Sequence, residues 1–333
     1  MADKILVTGA FGQIGSELIP ALRTRVGNEN VIADDIREPH DAMLEEGPFE
    51  LSDASDKEDM ERIFEKYNDI TTIYHLASLL SVGGEKNPNK AWRLNVGSLK
   101  NILDLAVKYK VQKVFWPSSI AAYGPTTPKD NTPQRTVLEP TTMYGVTKMS
   151  GELLCQYYHH KYGLDVRSVR YPGLISYKAP PGGGTTDYAV GIFYDGLQKG
   201  QYECFVREDT VLPMMYMEDA IRGTLQLMNT PAERISVRTS YNFAAVSFSA
   251  GQLAAEVRKH LPSLKVTYKP DERQKTADSW THSIDDSQAR KDWGWKHEFG
   301  LPELTKTMIA SLSKKLGIDH GSYRYAHSGI TAN

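Results

Sequence analysis

The chain has 333 residues and a nearly balanced charge, 39 basic against 41 acidic side chains, so it can bury a sizeable core, and lacking a basic run it offers little to a nucleic acid or a membrane surface. Its two cysteines, Cys155 and Cys204, exclude a Cys-rich structural zinc site and argue against a disulfide framework, so no metal is expected and a reducing compartment fits. Small-molecule chemistry is the expectation that remains.

The first strand-like run, KILVTGA, begins at Lys4, which leaves no room for a signal or transit segment ahead of it in this sequence. No apolar stretch approaches the roughly 20 residues that span a bilayer. A soluble protein of the cytoplasm or the mitochondrial matrix is therefore expected. After that run come the helix-like GQIGSELIPALRTRVG, the strand-like NVIADD, a short run PFEL, the helix-like DKEDMERIFEKY, the strand-like TTIYHLAS, a helix-like stretch from Pro88 to Lys110, and KVFWPSS. Such alternation predicts a parallel sheet with helices on both faces. Pro20 predicts a kink in the first helix.

A turn-rich segment, GPTTPKDNTPQRTVLEPTT, leads into a helical stretch holding Tyr144 and Lys148, and a further strand, DVRSVRYPGLI, runs into the cluster APPGGGTTD. Helices are predicted near 187–199, 217–228 and 249–260. The fold class is thus α/β, a Rossmann-type doubly wound parallel sheet over residues 1–175, with SYNFA around 240–245 returning to it. Residues 176–320 mainly form a smaller C-terminal substrate lobe, and 321–333 a polar tail.

VTGAFGQIG follows the first strand and opens a helix, with glycines at 9, 12 and 15. Gly9 permits a tight turn, Gly12 lets the backbone approach a pyrophosphate, and Gly15 lets the helix pack on the strand, while the helix N-terminus offers amides and a positive dipole end. Alone, this is a weak signal, because the bland alternative is a tight turn. Asp34 and Asp35 strengthen it by ending the second strand about 20 residues later, where a carboxylate accepts hydrogen bonds from the adenosine ribose. Asp35, last in the strand, is the choice, and its charge favours NAD over NADP. Arg37 keeps a minority case for a 2′-phosphate. Phe11, Gln13, Ile14 and Ile36 are counted with the cofactor contacts, and Asp53 and Ala54 could border the adenine, although Asp53 and Asp56 also suit a turn and a helix N-cap.

Taken in order, TGAFGQIG, HLAS, WPSSIAAYG, YGVTK and RYPGLI resemble the extended short-chain dehydrogenase family, the group of NAD-dependent epimerases and dehydratases. Within it, SLLSVGGEKNP, FWPSSIAAYGPTTP, PPGGGTTDYAV, PMMYMEDA and DSQARKDWGW are similar to the short-chain-type L-threonine 3-dehydrogenases. That resemblance implies L-threonine as substrate, oxidised at its β-hydroxyl to 2-amino-3-ketobutyrate with NAD as acceptor. One departure from the nucleotide-sugar enzymes matters. Where they usually carry a diphosphate-clamping arginine, this chain has Leu212 and Pro213, which leaves a diphosphate poorly held.

Oxidising an alcohol needs a base for the hydroxyl proton. Tyrosine, with a reference pKa of about 10, needs a nearby cation to act as one. Lys148, four residues on, shares a helical face with Tyr144 and could also reach the nicotinamide ribose. A lone pair at this spacing is usually a surface contact, but Ser118 and Ser119 end a parallel strand where ligands bind in such sheets, and one of them could hydrogen-bond the substrate oxygen. Leu76 and Ala77 are expected along the pyrophosphate, and Tyr171, Pro172, Gly173 and Leu174 beside the nicotinamide. His75 reads better as a packed residue than as a base.

An amino-acid substrate also needs carboxylate donors, for which Ser81, Thr185 and Thr186 are candidates, and an ammonium partner, for which Asp187 competes with its role as a helix-start residue. Trp280 reads as a core aromatic or a pocket wall. The alternatives are a nucleotide-sugar epimerase or dehydratase with tightly held NAD and, more remotely, a non-catalytic dinucleotide sensor. The resemblance further implies a homodimer through a four-helix bundle, and the apolar faces around 92–106 and 149–158 permit it.

Overall fold

The computed structural model describes residues 3–39 and 46–318, so the polar tail at 321–333 lies outside the described residues. The main sheet contains β1 (Lys4–Thr8), β2 (Val31–Asp35), β3 (Phe49–Leu51), β4 (Ile70–His75), β5 (Lys113–Ser119), β6 (Asp165–Tyr171) and the short β10 (Tyr241–Asn242). Their order is β10-β6-β5-β4-β1-β2-β3, every pair parallel. Chain order reverses between β1 and β4, and in such sheets the crevice beyond the strand ends at that point receives ligands.

Alternation along the strands divides the core in two. Leu6, Ile32, Ile73, Val114 and Val166 pack on one face with the helix Ser98–Lys108, while Ile5, Val7, Val31, Ala33 and Phe115 pack on the other against the helices Gly15–Val26 and Met217–Asn229. Burial of both faces explains why these strands read as apolar runs. Each fully buried aliphatic side chain, such as Leu6, stabilises the fold by about 1.5–3 kcal/mol. A third core, with Ile175, Phe193, Leu212, Phe248 and Leu304, lies around a second sheet. That sheet holds β7 (Gly173–Ile175), β9 (Val211–Tyr216) and β11 (Val246–Ser249), in the order β11-β9-β7. A parallel pair, β8 (Gln201–Cys204) with β12 (Lys265–Tyr268), completes the strands among the described residues.

Two local expectations change. DVRSVRYPGLI is two strands, because Pro172 has no amide to continue a ladder; β6 stays in the main sheet and β7 pairs with β9. The stretch from Pro88 to Lys110 is a helix interrupted by a π turn at Arg93–Gly97. Pro20 lies within the first helix, Gly15–Val26. Among the described residues no helix is long and apolar enough to cross a membrane.

Candidate active site

The register aligns three strand ends. Thr8 lies opposite both Asp34 and His75, so Gly9, Asp35 and Leu76 follow at one level, tied by Ala10 N donating to Asp34 O at 3.0 Å and Leu76 N donating to Thr8 O at 2.9 Å. Gly9 has φ +69°, and a Cβ there would come within 2.6 Å of Ala77 N. A side chain at Gly15 would run into the Ala10 carbonyl. Each of these glycines is thus required by close backbone approach.

Above these strand ends lies a cavity of about 450 Å³, lined among others by Gly9, Gly12, Asp35, Ile36, Arg37, Asp53, Ala54, Leu76 and Ala77. Asp35 accepts from Phe11 N at 2.9 Å and from Arg37 Nε at 3.0 Å, so Arg37 lies against the carboxylate. Phe11 and Gly15 support the loop without lining the cavity. Asp53 accepts from Ser55 N and Oγ at 2.8 and 2.7 Å, and Asp56 caps the following helix. Asp34 also borders the cavity. It is buried, accepts from Ser52 Oγ, and its Oδ2 has no partner. Burial pushes its pKa up to about 8, even though the Ser52 hydrogen bond pulls the other way.

A second cavity of about 150 Å³ adjoins the first, sharing Leu76 and Ser78. Gln13, Ile14, Ser81, Ser118, Ser119, Tyr144, Lys148, Tyr171, Pro172, Gly173, Leu174, Thr185, Thr186, Asp187 and Trp280 all border it. Trp280 is therefore both buried and a pocket wall. The shape suits an extended two-part ligand with its narrow end at Tyr144. Among the described residues lining the second cavity the only cationic side chain is that of Lys148. Leu212 and Pro213 are buried in β9, opposite Phe248 and Ser247, and do not line it.

The two serines have different surroundings. Ser118 Oγ is buried and donates to Glu152 Oε1 at 2.6 Å, whereas Ser119 borders the cavity together with Tyr144 and accepts from Ala121 N at 3.2 Å. Tyr144 and Lys148 lie on the helix Met143–Tyr162, capped by Thr142 accepting from Gly145 N. The Lys148 ammonium is 5.4 Å from the Tyr144 ring centre and 4.7 Å from that of Trp116, and it donates to Pro117 O at 2.7 Å. Burial pushes the Tyr144 phenol up to about 12, against the lowering influence of the nearby Ser119 hydroxyl, and pulls the Lys148 ammonium down to about 7. Burial thus favours the neutral form of both groups. Any phenolate has to be stabilised by neighbouring positive charge.

His75 is a packed residue. Its ring nitrogens meet Thr8 Oγ1 at 2.7 Å and Ser98 Oγ at 2.9 Å, and burial lowers its pKa to about 3. Asp187 makes no side-chain bond to the helix it begins. Its Oδ2 instead accepts from Gly183 N and Gly184 N, both at 2.7 Å, closing the glycine turn beside the cavity.

Two supporting residues escaped the sequence reading. Asn95, at the π turn, accepts from Leu79 N at 2.7 Å and donates to Leu79 O and Thr147 Oγ1, each at 3.0 Å, fastening the loop after β4 to the helix that carries Tyr144. Glu152 pairs with Arg170 beneath the serines. Their one signal was a polar side chain at an interior helical or strand position, which fits many structural roles.

The model of the NAD-dependent epimerase/dehydratase family matches residues 5–244. An uncharacterised epimerase/dehydratase of Staphylococcus saprophyticus is 49% identical over 94% of this chain and 98% of its own length. The mitochondrial L-threonine 3-dehydrogenase of Bos taurus is 48% identical over 92% of this chain and 82% of its own. Among solved structures, the holo form of an L-threonine dehydrogenase from Cupriavidus necator superposes with a TM-score of 0.90 at 52% identity, covering 93% of this chain and 99% of that one. A glycine-lined crevice at the sheet's switch point, a family model spanning most of the chain and relatives about half identical lead to one conclusion: the chain belongs to the NAD-dependent epimerase/dehydratase family.

Proposed function

We propose that this protein oxidises the β-hydroxyl of L-threonine to the ketone of 2-amino-3-ketobutyrate, with NAD as hydride acceptor. The observation that carries the reading is the convergence of Tyr144, Ser119, Lys148, Thr185 and Thr186 on a small cavity continuous with a glycine-lined cleft. The cleft fits a dinucleotide, because Gly9 and Gly12 leave backbone bare at the start of a helix and Asp35 stands at the end of β2. Bound there, NAD supplies the hydride acceptor and a positive nicotinamide ring. Tyr144 Oη takes the hydroxyl proton, and Ser119 Oγ holds the substrate oxygen as its bonding changes. Lys148 supplies the cation that burial alone denies the phenolate.

Ser81, Thr185 and Thr186 offer hydroxyls to the substrate carboxylate, and Asp187 borders the same space as a partner for the ammonium. The small volume and the lack of an arginine along it favour a free amino acid over a nucleotide-sugar. Trp280 and Leu80 line the same cavity as part of its apolar wall. A steady-state assay with NAD and NADP against a panel of β-hydroxy amino acids and nucleotide-sugars tests the reading. NADH formation with L-threonine supports it; interconversion of a UDP-sugar without net cofactor reduction, and no reaction with threonine, overturns it.

A homodimer is part of the same proposal. Leu153, Tyr157 and Tyr162 on the catalytic helix, together with Trp92, are each more than two-fifths exposed, an apolar strip that a second copy would cover through a four-helix bundle. Light scattering should give twice the chain mass, and Leu153→Asp should return it to one.

A further inference from the structure

The helix carrying Tyr144 and Lys148 has a second charged residue on the same face, one turn further on. Glu152 is 1% exposed. Lys148 and Glu152 grip consecutive residues at the end of β5: Lys148 Nζ donates to Pro117 O, and Glu152 Oε1 accepts from Ser118 Oγ at 2.6 Å. From β6, Arg170 donates to both carboxylate oxygens, Nε to Oε1 at 2.8 Å and a terminal nitrogen to Oε2 at 2.7 Å. Arg170 is held in turn by Gln134 O at 3.1 Å and Asn242 Oδ1 at 2.9 Å, and Asn242 also accepts from Tyr123 OH at 2.6 Å.

We propose that Glu152 is a positioning residue whose negative charge, shared between Arg170 and Lys148, keeps the buried Lys148 cationic beneath Tyr144. Residues four apart on a helix have Cβ atoms about 5–6 Å apart, and in a buried setting an opposite charge at that range favours the charged form of its neighbour. The other titratable groups packed around Lys148 do not supply that charge. His75 stays neutral, Cys155 is a buried thiol whose pKa is raised, and Tyr144 holds its proton. Burial pulls the Lys148 pKa down, and Cys155 and then Glu152 push it up; because burial also raises the Cys155 thiol, which then carries no charge, Glu152 is the group that can supply the push. Arg170 contacts the carboxylate directly while Lys148 lies one helical turn from it, so the state of Lys148 depends on how much of that charge Arg170 neutralises.

The inference rests on the reading of Lys148 as the cation that tunes Tyr144, and its test does not depend on threonine turnover. Protein without cofactor, deuterated and carrying lysine labelled with ¹³C at Cε, reports the titration of Lys148, whose signal is identified by its loss in Lys148→Arg. Glu152→Gln keeps an acceptor for Ser118 but removes the charge, and should lower the Lys148 midpoint by about one pH unit or more. Arg170→Gln removes the competitor for that charge and should raise it. In NAD-dependent turnover Glu152→Gln should depress kcat with little change in the KM of the alcohol. Opposite shifts support the proposal. Shifts of the same sign, or none, would reveal a packing role only and overturn it. Should Glu152→Gln lose its circular dichroism signature, the upward shift in Arg170→Gln decides alone. Loss of threonine oxidation with the opposite shifts intact would instead overturn the substrate assignment.

Discussion

The cavity beneath the glycine loop and the cavity around Tyr144 share Leu76 and Ser78, yet they are built by different means. The first is laid down by the glycine loop and neighbouring strand ends of the main sheet, with Gly9, Asp35 and Leu76 level with one another. The second is mostly side chains drawn from distant segments: Ser81, Ser119, Tyr144, Thr185 and Trp280. A backbone cradle is tolerant of side-chain chemistry but intolerant of added volume. In the side-chain cavity a single functional atom matters most.

Substitutions can separate the two cavities. The largest effect should come from Tyr144→Phe. Loss of the base lowers kcat by about 10²–10⁴-fold, while calorimetric NAD affinity stays near the wild-type value because the glycine cleft is untouched. Gly9→Ala should do the reverse. It adds a Cβ at φ +69° within 2.6–2.9 Å of the Leu76 and Ala77 backbone, so it should lose about 1–3 kcal/mol of stability in urea unfolding and most of its NAD binding. If Gly9→Ala bound NAD normally and Tyr144→Phe did not, the division between the two cavities would fail.

Asp35→Ser tests the side chain that matters most in the first cavity. It removes the carboxylate that holds Arg37 at 3.0 Å and should weaken NAD by about 10-fold while improving NADP, read as the ratio of the two Kd values. Asp34 acts on stability alone and gives a pH signature. Its folded pKa lies near 8 against an ordinary value of 3.8, so the folded state binds the extra proton between those values. Its contribution to stability is present below about pH 4 and is lost as the pH rises through about 8. Asp34→Asn should therefore melt above the wild type at pH 9, by about 2–4 °C for each kcal/mol recovered, with the gap closing by pH 5.

The sheet was legible because apolar runs, turn residues and glycines act within a few positions of one another, and the cofactor cleft inherits that locality. The Tyr144 and Lys148 pair was legible as spacing. Which serine faces Tyr144 was not, since Ser118 and Ser119 differ only through Glu152 and Arg170, both far along the chain. The π turn was hidden for a related reason: the run from Pro88 to Lys110 keeps a helical composition, and only the grip of Asn95 on Leu79 and Thr147 distinguishes its middle. Likewise, Asp187 has the sequence position of a helix-start residue yet closes the preceding glycine turn, because the acceptor it offers is taken by the loop before the helix can use it.

The π turn at Arg93–Gly97 also has an evolutionary meaning. Such a turn is a helix carrying one residue more than its neighbours need. Deleting one residue there would close the widened turn into ordinary α-helix, leaving the flanking turns nearly in place but re-aiming the side chains within the turn itself. Asn95 would then turn away from either Leu79 or Thr147. A deletion that looks harmless in an alignment of helices would thus disconnect the loop after β4 from the helix that carries Tyr144, and descendants that keep this arrangement should keep the extra residue.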